Sequence, residues 1–174
     1  MSTIVIDTNV LLVANGAAHQ MSDACRLACM ARLAQARASD AVVVDRQYFI
    51  LGEYQNGLDP NKRPPGPGDA FLRHLLQNVA NSTHVVQVEL TPTNPERTDF
   101  REFPNDEELC KAFDPSDRKF VAASNACVEK PPIMQSADSK WLAWEERLSI
   151  HGIRLEVLCR QELEAIHARK VKKG

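Results

Sequence analysis

Short β-branched runs alternate with stretches of helical periodicity along most of the chain. Thr3-Ile4-Val5-Ile6 is the first run and reads as a buried strand ending at Asp7. A short apolar helix over Val10 to Ala14 is expected next. Ser22 or Asp23 can cap a longer helix, rich in Ala, Leu and Arg, that reaches about Ser39. Ala41-Val42-Val43-Val44 reads as a second buried strand closed by Asp45, and Arg46 to Gln55 as a helix stopped near Gly57. Residues 57–68 hold four prolines and three glycines and predict a loop. A helix over Asp69 to Ala80 follows, then a strand or extended connection over Val85 to Leu90. Residues 91–106 are polar with three prolines and read as irregular. Helices over Glu107 to Phe113 and Pro115 to Cys127 precede a strand near Pro132 to Gln135. A helix from Ser139 to about Leu148, a strand over Ile153 to Leu158 and a helix over Gln161 to Ala168 complete the pattern. The basic tail Arg169-Lys170-Val171-Lys172-Lys173 ends it.

Strands that alternate with helices predict an α/β fold, with a parallel sheet covered on both faces. No internal repeat or convincing linker divides the 174 residues, so one domain is expected, with residues 57–106 as a peripheral elaboration. In such a sheet, ligands gather beyond the carboxyl ends of the strands. Asp7, Asp45 and Asp138 each lie at or just after such an end. Each also precedes a helix, where Asp is a good cap. Capping explains Asp45 best; for Asp138, capping and chemistry can both hold.

Two further acids lie on apolar stripes. Glu53 falls between Phe49 and Ile50 at about 100° per residue, where an ionised carboxylate needs a cation or hydrogen-bond donors. A structural ion pair explains this as well as chemistry does. Asp117 shares a face with Phe120, Val121 and Ser124. Asp114 as N-cap, Pro115 and Asp117 also make a capping-box-like helix start, which explains Asp117 only in part.

Four acids therefore converge on one edge: Asp7, Glu53, Asp117 and Asp138. Crowded like charges raise one another's pKa, and a hard divalent cation relieves this. Carboxylates that leave room for water suit Mg²⁺ or Mn²⁺ rather than Zn²⁺. No H-E-x-x-H is present, and His19, His74, His84, His151 and His167 are scattered.

These residues resemble the motifs of PIN-domain (PilT N-terminus-like) nucleases. Ile4-Val5-Ile6-Asp7-Thr8-Asn9-Val10-Leu11 is similar to their opening motif. Glu53 in Ile50-Leu51-Gly52-Glu53-Tyr54 resembles the second acid. Asp117 in Ser116-Asp117-Arg118-Lys119-Phe120-Val121-Ala122-Ala123 resembles the third, and Ser136-Ala137-Asp138 the fourth, with Ser136 in a threonine place. The match runs from residue 3 to about 158. The middle segment is longer and richer in proline than in the compact toxin members. The resemblance implies a three-layer α/β/α domain with a central parallel sheet. It also implies Mg²⁺- or Mn²⁺-dependent cleavage of phosphodiester bonds, usually in RNA, with single-stranded DNA a further substrate. Asp7, Glu53, Asp117 and Asp138 would hold the metal, and Thr8, Asn9 and Ser136 would orient them. Arg46, Arg118, Lys119 and Lys140 lie beside these acids in sequence and are candidate phosphate contacts. A toxin role would add an antitoxin protein as partner, and a homodimer is common in that branch.

Two other readings remain. A strand ending in Asp-Thr is also similar to phosphatases with a nucleophilic Asp, but Asn9 stands where they need a second Asp. A non-catalytic PIN-like binding module is the other.

Charge and cysteine content refine this. Lys and Arg total 21 and Asp and Glu 23, a net charge of -2, which excludes binding of nucleic acid by bulk basicity. Cys25, Cys29, Cys110, Cys127 and Cys159 form an odd set with no C-x-x-C spacing. A disulfide framework or zinc knuckle is not expected, and a reduced, cytoplasmic setting fits. Cys25 and Cys29 can share a helix face, most simply as core thiols. The N-terminus has no basic segment, and Asp7 interrupts its apolar run, so a signal peptide is not expected. No run of about 18 apolar residues is present to span a membrane.

Overall fold

The computed structural model describes all 174 residues. Five strands, all parallel, form the central sheet: β1 (Ser2–Ile6), β2 (Asp40–Asp45), β3 (Val85–Val88), β4 (Ile133–Gln135) and β5 (Leu155–Val157). Their order is β3-β2-β1-β4-β5. The chain builds outward from β1 in one direction through β2 and β3, then returns to the other side of β1 for β4 and β5. That reversal puts a topological switch point between β1 and β4, where a crevice opens at the carboxyl ends of the strands. The backbone N–H of Asp7 donates to the Met134 carbonyl at 2.9 Å, which fixes the two strand ends level with each other.

Helices cover the sheet: α1 (Thr8–Ala14), α2 (Asp23–Ser39), α3 (Phe49–Gly57), α4 (Pro67–Gln77), α5 (Glu107–Ala112), α6 (Arg118–Ala126), α7 (Lys140–Ile150) and α8 (Arg160–Lys173). The architecture is a three-layer α/β/α fold, as expected. Helices α1, α2 and α4 pack on one another, while α6 lies on β1 and β2. All six residues of β2 are buried, as a strand covered on both faces requires. One apolar cluster runs from Ile4 to Ile153 and takes in residues of every helical layer. No helix is long and apolar enough to cross a membrane.

Several expectations need correction. The middle segment is integral: β3 is the sheet edge, and Phe71, Leu72 and Leu75 of α4 are in the core. Gly68 lets α4 approach α1, since a Cβ there would stand 2.4 Å from the Leu11 carbonyl oxygen. Helix α3 begins at Phe49, not Arg46, because Tyr48 takes a left-handed conformation with φ 66°. The basic tail is not a tail but the last turns of α8. Finally, Cys25 and Cys159 are joined in a disulfide across 134 residues of sequence, where free thiols were expected. Cys29, Cys110 and Cys127 are free.

Candidate metal centre at the carboxyl edge of the sheet

Asp7 follows β1 and is almost wholly buried. It is the N-cap of α1, but its contacts there are long: 3.3 Å from the Asn9 N–H and 3.4 Å from the Asn9 side-chain amide. Burial, then the charges of Asp117, Glu53 and Asp138, raise its pKa to about 8, against the Asn9 N–H. Asp117 closes a 3₁₀ turn, Pro115–Asp117, at the foot of α6. Burial and the charges of Asp138 and Asp114 raise it to about 7, against Lys140 and Lys119. Glu53, Asp117 and Asp138 therefore each sit within electrostatic reach of Asp7 at the β1/β4 switch point, and Asp138 within reach of Asp117, although the four carboxylates do not lie within 4.8 Å of one another.

The capping alternative separates cleanly here. Asp114 caps the 3₁₀ turn, accepting from the Ser116 N–H at 3.0 Å and its hydroxyl at 2.8 Å. The Asp117 carboxylate makes no cap bond, so capping does not account for it. Asp45 accepts from the N–H groups of Phe49 at 2.9 Å and Ile50 at 2.8 Å, and is a cap as expected. Asp138 does both: it accepts the Lys140 N–H at 3.0 Å and faces the cluster.

The neighbouring residues divide. Thr8 donates its hydroxyl to Glu53 Oε1, and Asn9 lies against Asp7 at the long distances given above. Ser136 is not brought to the acids. Its hydroxyl is fully buried without an oxygen or nitrogen partner and lies beside the Cys29 thiol, whose pKa burial pushes up to about 11.

Of the candidate phosphate contacts, Lys119 pairs with Glu53 and also reaches the Ser116 carbonyl. Lys140 pairs with Asp114 at 2.6 Å and lies 3.5 Å from Asp138. Both lysines are internal counterions of the acidic cluster. Arg46 is exposed and its side chain is unengaged. Arg118 is corrected: it is buried, ion-paired with Asp99 and hydrogen-bonded to the carbonyls of Cys110 at 2.6 Å and Phe113 at 3.1 Å. It ties residues 99–113 to α6 and is not free to meet a phosphate.

Sequence reasoning missed two participants. Asp114 is a fifth acid whose charge reaches Asp117. Tyr54 lies fully buried under the site; its hydroxyl donates to the Ile6 carbonyl, and its pKa is raised well above the usual value by burial, then by Asp7 and Glu53. Its spacing beside Glu53 on α3 was the available signal.

The donor set is all carboxylate oxygen, and two lysines only partly neutralise it. That chemistry fits a hard divalent cation with retained water. Comparison with protein-family models, with curated proteins and with solved structures gives no match.

Proposed function

We propose that the protein is a Mg²⁺- or Mn²⁺-dependent endoribonuclease of the PIN-domain type. The observation that carries this reading is the meeting of Asp7, Glu53, Asp117 and Asp138 at the switch point, with Asp7 and Asp117 held at raised pKa. Burial of Asp7 and Asp117 with few or no hydrogen-bond donors costs free energy, and a divalent cation offsets that cost. When bound, such an ion stabilises charge on a phosphodiester and lowers the pKa of a bound water. Asp7, Glu53, Asp117 and Asp138 would hold it. Thr8 and Asn9 keep Glu53 and Asp7 in fixed orientation. Lys119 and Lys140 would exchange their carboxylate partners for substrate phosphate oxygens as the cation takes over those acids.

A toxin held by an antitoxin protein, acting as a homodimer, is the physiological setting that the resemblance suggests. A small antitoxin gene beside this one would support it. Activity is tested with a panel of end-labelled single-stranded and structured RNAs and single-stranded DNA. Cleavage with Mn²⁺ that stops with a chelator and with Asp7→Asn is expected. An intact panel under all ionic conditions, with manganese bound, would favour the non-catalytic binding module instead.

A further inference from the structure

The sulfurs of Cys25, Cys29 and Cys159 form a second cluster, far in chemistry from the carboxylates. Cys25 and Cys29 are one turn apart on α2 and present the same face. Cys159 stands at the turn from β5 into α8, with φ 58°. The three Sγ atoms lie within 4.8 Å of one another. Thiolates around one zinc ion at about 2.3 Å stand roughly 3.8 Å apart, so the bonded Cys25 and Cys159 sulfurs must draw apart on reduction, beside Cys29, before three corners of a tetrahedron are formed.

We propose that the reduced protein binds one thiophilic divalent cation, Zn²⁺, through Cys25, Cys29 and Cys159. The disulfide seen here is the alternative, metal-free state of the same three sulfurs.

Three features support a built site. Cys159 immediately precedes the N-terminus of the 14-residue helix α8, whose dipole favours a thiolate, while the adjoining Arg160 is paired with Glu145. Ser136 contributes a fully buried hydroxyl beside Cys29 that has no other partner, a ready donor to a thiolate there. A cavity of about 380 Å³, lined by Ala24, Ala28, Cys25, Cys159 and Arg160, opens onto the pair from solvent. It gives the ion an entry path and leaves the fourth position to water. Glu162, on the same rim, is already held by the N–H and hydroxyl of Ser22, both at 2.7 Å.

The chemistry balances with a phosphine reductant. The phosphine breaks the Cys25–Cys159 bond, takes oxygen from one water and leaves as its oxide; the water's two protons go to the two sulfurs. Zinc then binds three thiols and releases their three protons to solvent. In the disulfide state only Cys29 keeps a ligand, and the site is lost.

The test is a titration of phosphine-reduced protein with Cd²⁺, which reports sulfur ligation by its ultraviolet charge-transfer band. A parallel Zn²⁺ titration runs against a chromophoric chelator. Carboxylate binding at the acidic edge gives no such band. Saturation at one equivalent is expected, both in the wild type and in a Cys110→Ser, Cys127→Ser background. The disulfide form should show no band, a comparison that needs no substitution. Cys29→Ser should weaken Zn²⁺ binding by at least about tenfold, and Cys29→Ala, which keeps the core apolar, should do the same. Absence of the band in reduced wild type, or wild-type affinity in both Cys29 variants, would overturn the proposal.

Discussion

The ends of β1 and β2 make a controlled comparison. The two strands are parallel neighbours, Asp7 follows the last residue of β1 and Asp45 is the last of β2, and both are 1% exposed. Their surroundings differ. Asp45 has two backbone N–H groups of α3 at 2.9 and 2.8 Å, while Asp7 has only the long Asn9 contacts and three acids nearby. Equal burial at equivalent places thus yields one satisfied helix cap and one strained carboxyl. Burial alone does not distinguish the two acids; the supply of donors and the charges around each do.

The largest expected effect breaks this comparison directly. Asp7→Asn should lower cleavage by about a thousandfold or more, because it removes a charge that would hold the metal. Its melting temperature should stay at or above wild type. Asp45→Ala should do the reverse. It leaves two buried N–H groups unpaired and costs about 2 kcal/mol in denaturant titrations, with cleavage per folded molecule preserved.

The pH dependence of stability comes next. Asp7 and Asp117 have folded pKa values raised to about 8 and about 7. The folded state therefore holds protons that the unfolded state has released. Their contribution is most favourable below about pH 4 and is lost as pH rises through about 7 to 8. Chelated protein should accordingly lose stability across that window, by at least about 2 kcal/mol. Asp7→Asn should flatten the loss, and Mn²⁺ should reverse it. Thermal melts at several pH values, with and without the ion, measure all three.

A smaller effect concerns the counterions. Lys119→Gln frees Glu53 from its ion pair and should tighten Mn²⁺ binding severalfold, most at low salt. The same change should weaken RNA binding and raise substrate KM, so metal affinity and RNA affinity would move in opposite directions. The smallest effect is Tyr54→Phe. It removes one buried hydrogen bond to the Ile6 carbonyl and should cost about 1 kcal/mol, with cleavage close to wild type.

Much of the fold is legible in the chain because its signals are local. Val42, Val43 and Val44 form a continuous apolar run that only a doubly covered strand accommodates, and Ser22 caps α2 as its sequence suggests, accepting from the Cys25 N–H. The order of Asp7, Glu53, Asp117 and Asp138 is legible for the same reason: each sits at a fixed offset from a strand end or helix face. What escapes is set by contacts distant in sequence. Arg118 follows a candidate metal ligand, yet its guanidinium is claimed by Asp99 and two carbonyls from the preceding loop. Cys159 meets Cys25 only because β5 and α2 adjoin in the fold. Ser136, two residues from Asp138, turns instead to Cys29, a partner no spacing rule identifies.

The most direct test of the central claim is calorimetric titration of wild type, Asp7→Asn and Asp45→Asn with Mn²⁺, since it does not depend on knowing the RNA target. Wild type and Asp45→Asn should bind with closely similar affinity, and Asp7→Asn should lose binding by at least about tenfold. Equal binding by all three proteins, or none by wild type, would contradict the assignment of Asp7 to a metal centre and Asp45 to a cap.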